Sequence, residues 1–139
     1  MAVADVDAIL KEYLDTCTTL TALVKAPGES ARIYCPRLPQ NATLPAVGFF
    51  TRGGTSTPYI PGIPNPSVQF DCWGTSPIVA RQVYRTLYDN LQGIQNVRVG
   101  DYYIMSAIEE VQGMDLVDTD IPNYFRTLCF FSIMIRAEA

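Results

Sequence analysis

Between Ser67 and Leu91 the hydrophobic pattern changes period once, so a strand must hand over to a helix across a tight turn. Ser67-Val68-Gln69-Phe70-Asp71-Cys72-Trp73 alternates, with Val68, Phe70 and Cys72 on one face and Gln69, Asp71 and Trp73 on the other. Gly74 and Thr75 break the strand, Ser76 is a helix N-cap, and Pro77 occupies the first helical position, where its missing N–H costs nothing. Ala80, Val83, Tyr84, Leu87 and Leu91 then recur at helical spacing, and Gly93 supplies the stop. Everything else in the chain has to bury the apolar faces of this unit.

The flanking segments supply more strands and another helix. Val6, Ile9, Leu10, Tyr13 and Leu14 form one apolar stripe, which predicts a helix over 5–14 capped by Asp5. Asp15 to Thr19 is polar and reads as a break, Leu20, Leu23 and Val24 as a further helical turn or two, ended by Pro27 and Gly28. Arg32-Ile33-Tyr34-Cys35 reads as a short strand before a turn-rich bridge, and Leu44 to Thr51 as another strand. Four prolines and three glycines in 52–66 predict a long loop closing a hairpin with the 67–73 strand. That loop carries Arg52, Tyr59, Ile60 and Ile63, as a flap on its own domain or as a reach to a neighbouring subunit. Downstream, Val97 and Val99 mark a short extended piece. Tyr102 to Val111 alternates, with Ile104, Ser106 and Ile108 set against Tyr103, Met105 and Ala107. Gln112-Gly113 reads as a turn before a further strand from Met114 to Thr119. Tyr124 to Arg136 is apolar on both faces, the pattern of a central strand covered on both sides, or on one side by a partner.

These elements predict one α+β domain over residues 1–139, a mixed or mainly antiparallel sheet against two main helices. Of the 139 residues, 48% are hydrophobic and only 17% charged, which predicts that some apolar surface meets a partner. A net charge of −4 argues against a basic patch for duplex DNA. Without histidine the chain lacks the commonest general base. Cys17, Cys35, Cys72 and Cys129 form no C-x-x-C pair and read as reduced, mostly buried side chains of a cytoplasmic protein. No segment reaches transmembrane length, and the N-terminus lacks the basic region of a signal peptide.

Candidate chemistry is sparse, and neither a catalytic residue nor a cofactor or metal site is predicted. Glu109 and Glu110 are adjacent on a strand and point to opposite faces. Asp115, Asp118 and Asp120 lack the glycine and final glutamate of a calcium loop and read as a solvated turn. Gly53-Gly54-Thr55-Ser56 has no following lysine and joins strands, unlike a phosphate loop. Trp73 and Tyr102-Tyr103 read as interface anchors or as core. Arg81, Arg85, Arg98, Arg126 and Arg136 read as ion-pair partners at a subunit contact or as ordinary surface charge.

The order of these pieces carries a resemblance. An N-terminal helix is followed by Leu20-Thr21-Ala22-Leu23-Val24, Arg32-Ile33-Tyr34 with a proline turn, and Leu44-Pro45 with a strand. Then come Val68-Gln69-Phe70-Asp71-Cys72-Trp73, the 80–91 helix and a closing Tyr124-Phe125-Arg126 strand. Over roughly residues 5–136 the chain resembles the tail-completion or tail-terminator (head–tail joining) proteins of long-tailed bacteriophages. The resemblance implies a structural virion protein, assembled in the host cytoplasm as a homohexameric ring. Such a ring caps the tail tube, meets the head connector and lets DNA pass without sequence-specific binding. An acidic chain suits a lumen that must not grip phosphates. The residues expected at contacts are Arg52, Tyr59, Ile60, Ile63, Trp73 and Arg126. The rival readings are another neck or head-completion adaptor, a tail tube subunit, a metal-dependent enzyme using Asp115 to Asp120, and a ligand-binding module with 52–66 as its lid.

Overall fold

The structure, a computed structural model, describes residues 5–35, 43–55, 65–117 and 124–137. Within them the chain forms α1 (Val6–Thr16), α2 (Thr18–Val24), β1 (Ile33–Tyr34), β2 (Ala46–Thr55), β3 (Asn65–Gly74), α3 (Pro77–Leu91), β4 (Gln95–Val99), β5 (Tyr102–Val117) and β6 (Phe125–Ala137). This is an α+β domain with a single six-stranded mixed sheet in the order β1-β2-β3-β6-β5-β4. Only the β1–β2 pair is parallel; the other pairs are antiparallel.

The helix starts follow local chemistry. The Asp5 carboxylate accepts from Ala8 N–H at 3.2 Å, and the Ser76 hydroxyl accepts from Val79 N–H at 3.2 Å, so each satisfies a donor the helix cannot. The break after α1 is shorter than its polar sequence predicts. Cys17 alone turns extended (φ −77°, ψ 95°), its N–H returning to Leu14 O, and α2 begins at once. The described residues thus hold two main helices, α1 and α3, with the short α2 between them.

All three helices lie against one face of the sheet. There Leu10, Leu14, Leu20, Val24, Leu87 and Leu91 meet Val47, Phe49, Val68, Phe70, Cys72, Phe131, Ile133 and Ile135, all fully buried. Phe49, Phe70 and Phe131 stand side by side on neighbouring strands, with ring centroids 5.7 and 5.6 Å apart in stacked and edge-on contacts. Gly74 lets α3 fold back onto its own strand, because a Cβ there would lie 2.5 Å from Ala80 N. Cys17, Cys72 and Cys129 are buried free thiols, and Cys35 is a free thiol at the surface.

Three expectations are corrected. Arg52 to Thr55 continue β2 rather than opening the loop, because a bulge between Thr51 and Gly54 takes up Arg52 and Gly53 and pairing resumes at Gly54↔Pro66. Gln112-Gly113 is not a turn: β5 runs through it and on to Val117, with irregularities at 104/106, 109/111 and 111/114. Those bulges also break the simple alternation. Ile104 and Ala107 share the core face, whereas Ile108 is thrown outward, 55% exposed. The centre of the predicted loop lies outside the described residues.

Candidate interaction surface

Among the described residues, the opposite face of the sheet carries no helix. Its side chains follow from the register. Trp73 pairs with Arg126, Asp71 with Leu128 and Gln69 with Phe130 across β3 and β6. Arg126, Leu128 and Phe130 then pair with Leu116, Met114 and Val111 on β5. Period two gives each central strand one residue per pair for this face, so it is as continuous as the core but only partly covered. Ile108, Val111 and Met114 are exposed, while Phe50, Leu128, Phe130 and Met134 are half-buried.

A polar cluster occupies one part of this face. The Arg52 guanidinium lies 5.4 Å from the Phe130 centroid and donates to Gln69 Oε1 at 3.1 Å. Gln69 in turn donates to Asp71 Oδ1 at 3.3 Å, and Arg126 Nη1 stands 3.8 Å from the same oxygen. Burial pushes the Asp71 carboxyl above its ordinary value, while the Arg126 charge and the Gln69 hydrogen bond pull it back. The Arg126 guanidinium also lies over the Trp73 ring at 5.4 Å, and Tyr124 meets that ring edge-on at 6.2 Å. Trp73 Nε1 is buried and finds no acceptor among the described residues. Toward the other end, β4, β5 and β6 place Arg98, Tyr103 and Arg136 in one cross-strand row, with guanidinium carbons 6.0 and 4.5 Å from the tyrosine centroid.

Of the contact residues expected from sequence, Arg52, Trp73 and Arg126 come together here. Tyr59, Ile60 and Ile63 lie outside the described residues. Sequence reasoning missed Gln69 and Phe130 as bridges, and the Ile108–Val111–Met114 stripe. The doubly apolar pattern of β6 was the signal for the first, but the bulges of β5 hid the second. The acid pairs separate as expected: Glu109 accepts from Tyr84 O–H on the helix side and Glu110 from Ser67 Oγ on the open side. Asp115 accepts from Thr127 Oγ1 at 3.1 Å and lies 3.4 Å from Arg81, while Asp118 and Asp120 lie outside the described residues. A depression of about 360 Å³ beside α2, lined by Thr18, Thr21, Ala22, Lys25, Ala26 and Pro27, lies away from all of these groups.

Among the described residues, this is an α+β domain whose helices all lie on one side of its sheet. No protein-family model matches the chain, and no curated protein matches it. Among the described residues, no helix is long and apolar enough to cross a membrane.

Proposed function

We propose that the chain is a structural assembly subunit of the tail-terminator kind, a ring-forming protein that caps a phage tail tube and meets the head connector. The observation that carries this reading is the open sheet face, with Ile108, Val111 and Met114 exposed beside half-buried Phe130 and Leu128. Fully burying one such aliphatic side chain contributes about 1.5–3 kcal/mol, so covering the stripe drives association. The order of sequence pieces supplies the particular family. In a ring each subunit offers two different surfaces to its neighbours, and closure limits the assembly to a fixed number.

The test is the native mass by light scattering after size exclusion, followed by electron microscopy of purified tail tubes mixed with the protein. A discrete six-subunit species that sits at one tube end is expected. Open-ended polymerisation would convert the reading to a tube subunit. A monomer at high concentration that leaves tube ends bare would overturn it.

A further inference from the structure

On β5 the exposed side chains Ile108, Val111 and Met114 lie three residues apart. In a regular strand that spacing sends Val111 to the side opposite Ile108 and Met114. Here their partners Ser132, Phe130 and Leu128 alternate regularly along β6, so all three share one side. Bulges make this possible. From Ile104 to Met114 β5 takes ten steps, while β6 takes seven from Ile135 to Leu128, so β5 holds three surplus residues. Two of the three irregularities flank Val111, at 109/111 and 111/114.

Burial favours a simpler register. Continued without a bulge from Glu109↔Phe131, the pairing sets Val111 against Cys129 and Gly113 against Thr127. Cys129 faces the core and is fully buried. Val111 would then leave water, and Gln112 would take an outward place. The bulged register therefore needs a restraint of its own.

The side chains that supply it come from α3 and its C-cap. Gln92 Oε1 accepts the Glu109 N–H at 2.7 Å, and Arg81 Nη1 donates to Gly113 O at 2.9 Å. These two backbone groups bracket the bulged segment, where strand pairing is interrupted. Tyr84 O–H donates to the Glu109 carboxylate, and Arg81 Nη1 also reaches Asp115 Oδ1 at 3.4 Å. The Tyr84 ring and Arg81 Nη1 stand 2.9 Å from the place of a Cβ on Gly113. The core side between Glu109 and Asp115 is thus occupied from the helix, and Val111 enters it only if those side chains move aside.

We propose that Arg81, Tyr84 and Gln92 are positioning residues for the contact side of the sheet. They hold β5 in its bulged register, and once they are removed β5 slips to the register that pairs Val111 with Cys129. Calling that side a contact rests on the function proposed above; the register does not.

The test places a thiol at position 111, as Val111→Cys, in the full chain, with Cys35→Ser removing the surface thiol. Diamide then joins thiols that meet, taking up the protons and electrons that disulfide formation releases. Peptide mapping by mass spectrometry without reduction identifies the partner. In the bulged register position 111 and Cys129 lie on opposite sides of the sheet, so little 111–129 disulfide is expected in the parent. Arg81→Met with Gln92→Leu is expected to raise its yield about tenfold, and Gln92→Leu alone about threefold, since each lost hydrogen bond shifts the balance modestly. Arg81→Lys, which keeps a donor for Gly113 O, is expected to leave the yield near that of the parent. An unchanged yield in the two clamp-free variants, or a yield already high in the parent, would overturn the proposal. Joining to Cys17 and Cys72 as readily as to Cys129 in both variants would report loss of the fold instead of a second register, and would overturn it too. Native mass of the same variants without the new thiol separates the two readings. A six-subunit ring that persists after the slip defeats only the contact, and an unslipped β5 in a chain that assembles defeats only the positioning roles.

Discussion

On β6, Cys129, Phe131, Ile133 and Ile135 are fully buried, whereas their neighbours Leu128, Phe130 and Met134 keep part of their surface. Both sets are apolar and belong to the same central strand, so intrinsic strand preference cannot separate them. The difference lies in what covers each side. β3 hands over to α3 through Gly74 to Ser76, and α3 returns over the side that carries Phe70 and Cys72, where α1 and α2 join it. Among the described residues nothing plays that part for the other side. Arginines stacked on aromatic rings, and exposed Ile108, Val111 and Met114, stand there instead. One side is finished as a core and the other is left as a surface of core-like composition, the distribution expected where an assembly supplies the missing layer.

The sharpest way to break this comparison is to truncate adjacent phenylalanines. Phe131→Ala removes a fully buried ring in edge contact with Phe70, and is expected to cost about 4 kcal/mol in urea unfolding of the dilute protein. Phe130→Ala removes a half-buried ring from the open side and is expected to cost about 1 kcal/mol under the same conditions. Comparable costs for the two would mean that the open side is already packed within the monomer. A Phe130→Ala cost that grows with protein concentration would mean that its cover is another copy.

Glycine in two packed places separates a fixed contact from an adjustable one. At Gly74 an added Cβ would lie 2.5 Å from Ala80 N and 3.0 Å from Ala80 Cα, both backbone atoms at the start of α3. At Gly113 it would meet the side-chain atoms Thr127 Cγ2, Arg81 Nη1 and Tyr84 Cε2 at 2.8–2.9 Å. Gly74→Ala is therefore expected to cost about 3 kcal/mol, because α3 must shift off the sheet, and Gly113→Ala about 1 kcal/mol, because side chains can turn away. Thermal unfolding of the two variants ranks them, and the reverse order would mean that α3 is not held by this close approach.

What was legible in the sequence was local. Asp5, Ser76 and Pro77 announce their helices because a cap acts within one turn, and the alternation of Val68, Phe70 and Cys72 identifies the core side of β3. Features set by pairing partners far along the chain were not legible. Arg52 to Thr55 look like loop because two glycines favour turns, yet pairing with β3 extends the strand through a bulge. Gln112-Gly113 carries the same local signal and is overridden in the same way by β6. The candidate surface was visible as single residues, Arg52, Trp73 and Arg126. Their convergence depends on the Trp73↔Arg126 and Gln69↔Phe130 registers, which no local pattern encodes.

The smallest expected effect tests how the open side tolerates a nearly buried carboxylate. Asp71 is 7% exposed, with its carboxyl raised by burial and partly restored by Arg126 and Gln69. A raised carboxyl binds its proton more tightly in the folded chain than in the unfolded one, so its contribution to stability falls as pH climbs from the ordinary value of 3.8 through the raised one. Arg126→Gln removes the main charge that offsets burial, so the carboxyl rises further and the window of loss widens. The variant is expected to be about 1 kcal/mol less stable than the parent at neutral pH, since Arg126 is half-exposed and the pair is long at 3.8 Å. The deficit should shrink as pH falls and Asp71 becomes protonated in both proteins. Adding Asp71→Asn should remove most of what remains at neutral pH, because an amide leaves no charge to desolvate. Urea titrations across that pH range read the difference directly. A deficit that does not change with pH would place the contribution of Arg126 in its stacking on Trp73. The arginines of the open side would then be held by ring contacts, with Asp71 adding nothing to their placement.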